Sequence, residues 1–160
     1  MKKVILFFCV CLCLTAGTCG VINAEKIKGN GSVVTKEVQV SGFRGIEFGS
    51  GIECNDRFFG NKSKSPVFRY SQIEGEAALA ITIDENLYPL LLVSSSDGIL
   101  SIRVKDGKRI IPSRLEINGH SETLQKVSVS GCVDFVLTNA LNSDDLEMTV
   151  SGAGDIKQVD

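Results

Sequence analysis

Few side chains in this sequence are of a type that does chemistry, and their spacing decides what each could do. His120, in "NGHSE", is the single histidine. Ser121 follows it, but a serine nucleophile of the hydrolase type sits on a Gly-x-Ser-x-Gly elbow, and adjacency in sequence does not make a triad. His120 therefore reads as a loop residue. "KDGKR" gathers Lys105, Lys108 and Arg109, with Arg114 nearby. Such a cluster could hold an acidic glycan or serve the base chemistry of a lyase, although a solvated turn is the plainer reading. Glu53, Asp134 and Asp155 each follow a small-residue corner. Ca²⁺ could bridge acids stacked at one strand spacing, but it needs six or more oxygens and no Asp-rich loop supplies them. These carboxylates are read as solvated, accepting hydrogen bonds from their own turn amides. No catalytic set, metal site or cofactor motif emerges, so an enzyme is not expected.

The six cysteines divide unequally. Lys2 and Lys3 precede an apolar run from Val4 to Leu14, then small and polar residues. This is the pattern of a secretory leader, and the run falls short of the roughly 20 apolar residues of a spanning helix. Two processing routes fit. "VINA" before "EK" puts Ile22 and Ala24 where a general signal peptidase inspects the chain, leaving Glu25 as the mature N-terminus and residues 1–24 as signal peptide. Alternatively, "TAGTC" resembles a lipobox ending in Cys19, although Ala16 and Thr18 fit that motif poorly; membrane anchoring would follow only from this lipidation. Either route places the remainder, 25–160, outside the cytoplasm as a single domain. Cys9, Cys11, Cys13 and Cys19 go with the leader, which leaves Cys54 and Cys132. Neither has a Cys or His at zinc-ligand spacing.

Without Lys2 and Lys3 the chain carries 15 basic and 19 acidic residues, a net charge of −4 (15 − 19). No basic stripe exists, so nucleic acid is not an expected partner, and nothing holds an anionic membrane surface by charge.

The elements that must position these groups are strands. Alternating or β-rich runs occur at "SVVTKEVQV", "GIEF", "VFRYSQI", "ALAITI", "LLLVSS", "ILSIRV", "KVSVS", "VDFVL" and "LEMTVS", separated by Gly, Asn, Asp and Ser. "SSDGILSI" carries an Asp-Gly hairpin signal, and "DENLYP" reads as a turn. "FFGNKSKSP" and "KDGKRIIPS" read as polar loops. "VSVSGCVDFVLTN" (127–139) aligns with "MTVSGAGDIKQVD" (148–160) at an offset of 21, and "IEFGSGIEC" (46–54) is a degenerate copy. Positions two apart face one way, so Val127, Val129, Val133 and Phe135 point inward, with a glycine turning the corner between them. Units near 46–54, 127–147 and 148–160 suit the coils of a β-solenoid, each stacked on the next. In that register Cys54 shares the inward position of Phe135 and Ile156, while Cys132 falls in the small-residue slot of Gly51 and Ala153. Different slots predict free thiols. The last unit stops 8 residues short of the 21-residue unit before it, which predicts an open C-terminal edge able to fray or to self-associate.

"VSGFRGIEFGSGIE", "IDENLYPLLLV", "GILSIRVK" and the "VSGxxD" corners together resemble the head GIN domain family, over residues 31–160. The family comprises secreted or surface-exposed proteins common in Bacteroidetes and described as auto-transporter adhesins. The resemblance implies a β-rich front part leading into a right-handed parallel β-helix, here C-terminally shortened. Two departures stand out. Gly51-Ile52-Glu53 replaces Gly-Ile-Asn, and family members usually continue for further coils. The expected function is a non-enzymatic surface or periplasmic adhesin or interaction module with an envelope or host-surface ligand. Alternatives are a carbohydrate-binding or carbohydrate-processing β-helix and a structural envelope protein. Trp is absent, and only Tyr70, Tyr88 and the Phe58-Phe59 pair could offer a platform for sugar stacking.

Overall fold

A computed structural model describes residues 23–54, 65–143 and 145–159. The apolar run 4–14 read as a leader, Cys19 and the Phe58-Phe59 pair lie outside the described residues. Strands are numbered along the chain. A five-stranded sheet runs β12 (Glu147–Gly152), β10 (Lys126–Gly131), β3 (Gly45–Phe48), β7 (Ile99–Val104), β6 (Leu91–Ser96). A six-stranded sheet runs β13 (Ile156–Gln158), β11 (Asp134–Leu137), β4 (Val67–Gln72), β9 (Leu115–Ser121), β5 (Ala78–Asp84), β2 (Val33–Val38). A two-stranded ribbon pairs β1 (Glu25–Lys28) with β8 (Lys108–Ile111). Among the described residues, no helix is long and apolar enough to cross a membrane.

Alternation explains which faces meet. Leu100, Ile102 and Val104 of β7 and Val127 and Val129 of β10 are buried, while the residues between them are more exposed. The inward residues of both large sheets merge into one core. Phe48, from the five-stranded sheet, meets Phe68, from the six-stranded one, edge to face at 6.4 Å. Phe68 stacks on Phe135 at 5.3 Å. Such ring pairs add about 0.5–1.5 kcal/mol beyond the area they bury. Tyr70 is fully buried beside Phe43 and Phe135, which corrects its reading as a sugar-stacking ring, and its hydroxyl lies 2.9 Å from Ser121 Oγ. The Asp97-Gly98 hairpin joins β6 to β7 with φ of 53° and 76°, as an Asp-Gly two-residue turn requires.

A right-handed parallel β-helix does not form, and this corrects the expectation from the repeat. In a solenoid each coil follows its predecessor along the chain. Here β3 and β4 insert between β7/β9 on one side and β10/β11 on the other, which breaks that order. In addition, β2, β5 and β6 pair antiparallel with their neighbours. The result is two mixed sheets and a ribbon, with no closed solenoid. The reason lies in side-chain fit. Ile46 and Phe48 are fully lined, by Leu100 and Ile102 across one strand boundary and by Val127 and Val129 across the other.

The offset of 21 does describe one local pairing. Val127 lies opposite Met148, Val129 opposite Val150 and Phe135 opposite Ile156, all in parallel register. Gly131 and Gly152 turn the two corners at φ of 98° and 133°, values that disfavour a side chain. The upstream copy departs from this register after Phe48. Ile52 bridges to Ile110 on the ribbon side, and it is Phe68, not Cys54, that lies opposite Phe135.

That departure also overturns the expectation of free thiols. Cys54 and Cys132 form a disulfide, with Cα atoms 5.6 Å apart, inside the range the bridge allows. The slot argument assumed that residues 49–54 track 130–135. Because the upstream segment takes an extra side through Ile52, Cys54 leaves the Phe135 position and reaches the Gly131–Val133 corner.

Candidate functional site

Two clefts gather the polar groups that the sequence brought forward. The first, of about 390 Å³, lies beside the ribbon and is lined by Ala24, Ser50, Glu53, Lys105 and Arg109 among others. The central KRII of "KDGKRIIPS", read as a loop, is strand β8, because Ile110 and Ile27 give the ribbon an apolar pair and Ile110 is fully buried. Register then sets Lys26 beside Arg109, and both reach Glu53, at 3.0 and 3.1 Å. The hydrogen bond from Lys26 holds the Glu53 carboxyl below the usual carboxylate range, with burial opposing and Arg109 assisting. Lys108 pairs with Glu25, Arg103 with Asp106 at 3.1 Å and Arg114 with Glu116 at 3.0 Å. The cations that suggested an acidic glycan are therefore largely neutralised by the protein's own carboxylates. Glu25 opens β1, its N–H donating to the Gly107 carbonyl at 2.9 Å, and Ala24 lies at the cleft rim.

Asp134, the first residue of β11, and Asp155, just ahead of β13, do lie beside one another, and a lysine answers their repulsion. Lys157 Nζ lies 3.4 Å from Asp134 and 3.5 Å from Asp155, and the Asp155 N–H donates to Asp134 at 3.3 Å. Glu53 does not join them, since it faces the ribbon. Among the described residues, no three of His, Cys, Asp and Glu converge as a metal site would require.

The second cleft, of about 630 Å³, opens where β2 parts from β5. The last β2–β5 pair is Val38 with Leu79. Beyond it the chain leaves the sheet, and the Ser41 N–H donates to Ser95 Oγ at 2.8 Å, on β6 of the other sheet. Half-buried Val38, Val40 and Ala77 line it while packing against the core, and Glu37, Glu76, Asn118 and His120 stand around it. His120 thus lies on strand β9 rather than in a loop. "NGH" looked like a turn, but Gly119 sits in a tight inward position: a Cβ there would come within 3.2 Å of both Leu79 and Phe68, which would have to give way. With Gly119 turned inward, Asn118 and His120 both point outward, opposite Ala80 and Ala78. The small alanines leave the space. Asn118 and Glu37 carried no signal in the sequence beyond their place on alternating strands.

One buried carboxylate belongs to neither cleft. Asp84 is fully buried and accepts from the Gly31 N–H and the Ser113 N–H, each at 2.8 Å, and from the Ser113 hydroxyl. Burial opposes its ionisation, but the Ser113 hydroxyl and the amides of Gly31, Ser113 and Arg114 together hold its carboxyl below the usual range. It ties the start of β2 to the approach of β9, and Gly29 has no room for a side chain against it.

Comparison with known proteins gives this architecture a context. The chain is similar to a crystal structure described as a putative adhesin from Parabacteroides merdae, at 27% identity and a TM-score of 0.62, covering 79% of this chain and 47% of that one. Its fold is also similar to a putative lipid binding protein from Parabacteroides distasonis (23% identity, TM-score 0.65, 84% of this chain and 55% of that one). A putative adhesin from Bacteroides fragilis shares the fold as well (21%, TM-score 0.67, 82% and 55%). The chain spans about half the length of these structures. No curated protein matches it. The family described as "Putative auto-transporter adhesin, head GIN domain" matches over residues 70–159, more than half of the sequence, and the chain belongs to that family.

Proposed function

We propose that this protein is a non-enzymatic, extracytoplasmic interaction module of the adhesin type, presenting a rigid β-sheet surface to an envelope or host-surface ligand. Family membership carries the reading, and the similar Parabacteroides merdae protein bears an adhesin name. The Cys54–Cys132 bridge supports the compartment, because disulfides persist where the medium is oxidising. Of the acids that follow the small-residue corners, Glu53 is engaged by Lys26 and Arg109, and Asp134 and Asp155 by Lys157, which removes these three as free general acids or bases. Fold alone does not assign a function, so the test is direct. Labelled protein, oxidised at Cys54 and Cys132, should bind saturably to intact bacterial envelopes or host cells; absence of binding to either rejects the adhesin reading. Intact mass of envelope-derived material decides the processing route, with Glu25 at the N-terminus for simple secretion and acylated Cys19 for the lipoprotein.

A further inference from the structure

We propose that the cleft between the departing end of β2, the start of β5 and the end of β9 is a saccharide-binding site selective for uncharged or amine-bearing sugars; the proposal rests on the interaction-module reading. Three observations carry it.

The first is the cleft's shape. At about 630 Å³ it falls within the range of small-molecule sites, and its form is set by ordered elements. Backbone pairing fixes β5 against β9 as far as Ala78 and His120, and the Ser41–Ser95 hydrogen bond holds the far wall.

The second is what lines it. Glu37 and Glu76 offer only acceptors when ionised, while Asn118 and His120 offer both donors and acceptors. Among the described residues, none of these four side chains makes a hydrogen bond or ion pair with the protein, unlike the groups of the ribbon cleft. A sugar hydroxyl donates and accepts at one atom, so a ring carrying several can meet this mixed set. Ala78 and Ala80, opposite His120 and Asn118 on the same sheet face, give its C–H face a small apolar floor.

The third is charge. Among the described residues, no lysine or arginine lines the cleft, and two carboxylates do. A uronate or sialate would place its carboxylate against Glu37 and Glu76, a like-charge approach that costs affinity. A glucosamine ammonium would gain where the acid loses. The cleft thus favours the opposite charge class from the acidic glycan that "KDGKR" suggested.

The test uses the full, disulfide-bonded chain on a glycan array bearing neutral hexose and N-acetylhexosamine oligosaccharides, glucosamine oligosaccharides, and sialylated and uronate chains. Binding confined to the first two classes is expected. In titrations with the best array probe, His120→Ala and Asn118→Ala should each weaken binding about tenfold or more, as lost hydrogen bonds to a polar ligand do. Glu37→Gln with Glu76→Gln should weaken glucosamine chains more than neutral ones. Arg109→Ala, in the other cleft, should change nothing. No binding to any glycan, a preference for acidic chains, or indifference to the four substitutions with the fold intact by circular dichroism would overturn the proposal. Envelope binding that survives those results would leave the adhesin reading standing while the saccharide site falls.

Discussion

The β10–β11 and β12–β13 segments carry nearly the same pattern and sit in direct register, yet they differ sharply in what they bury. Val127, Val129 and Phe135 are at most 1% exposed, whereas Met148 and Val150, directly opposite the two valines, are 37% and 41% exposed. Direction is therefore common to both segments, and energy is not. An inward-facing apolar residue contributes in proportion to what covers it. The inner segment lies between β3/β4 and β12/β13, while the outer one is covered on one side only. A sequence repeat sets where a side chain points, and its neighbours set what that is worth.

The widest contrast is expected at the aromatic stack. Phe135→Ala should cost about 3–5 kcal/mol, and Ile156→Ala, half-buried at the paired position, about 1–2 kcal/mol. Equal losses in urea denaturation would break the comparison. The bridge tests the same asymmetry, because Cys132 turns the inner corner while Ala153 occupies the corresponding place on the outer one. The two cysteines lie 78 residues apart, and replacing both with serine should cost about 2–4 kcal/mol. Ala153→Ser should be neutral within about 0.5 kcal/mol.

At the other end of the six-stranded sheet, Asp84 sharpens the comparison from the side of polar satisfaction. Asp84→Asn replaces a carboxylate with an amide among donors aimed at an acceptor, and should cost about 1–3 kcal/mol at neutral pH. The sign with pH follows from its lowered pKa. Its contribution is complete above the ordinary carboxylate value of about 4 and is lost as pH falls through the lower folded-state value. The stability–pH curve of the Asn variant should therefore flatten in that acid window, and an unchanged curve would remove Asp84 as a source of acid sensitivity. The smallest pair is Val129→Ala against Val150→Ala, about 2 kcal/mol against less than about 0.5 kcal/mol. Hydrogen exchange should order the two strands likewise, with β10 amides protected longer than those of β12.

Within the sequence, the two-residue alternation of runs such as "VSVSG" and "MTVSG" was enough to establish strands, their inward faces and the pairing of 127 with 148. Those are local properties, since successive side chains on a strand alternate faces whatever the rest of the chain does. The Asp-Gly hairpin and the corner glycines were legible for the same reason, as backbone conformation depends on the residue itself. Strands β8 and β9 were not, because "DG" before one and "NG" within the other resemble breaks. Only the packing of Phe68 and Leu79 against Gly119 explains why β9 continues through Asn-Gly and carries His120 onto a sheet face. The order of strands was decided by tertiary structure alone. Nothing near residue 46 indicates that β3 lies between β7 and β10, since that depends on which apolar rows fit together across 50 to 80 residues of chain. The Cys54–Cys132 bridge, the salt bridges that occupy the ribbon cations and the cleft beside His120 are consequences of that order. A sequence pattern specifies the face a residue presents, and only the assembled sheets specify what it meets.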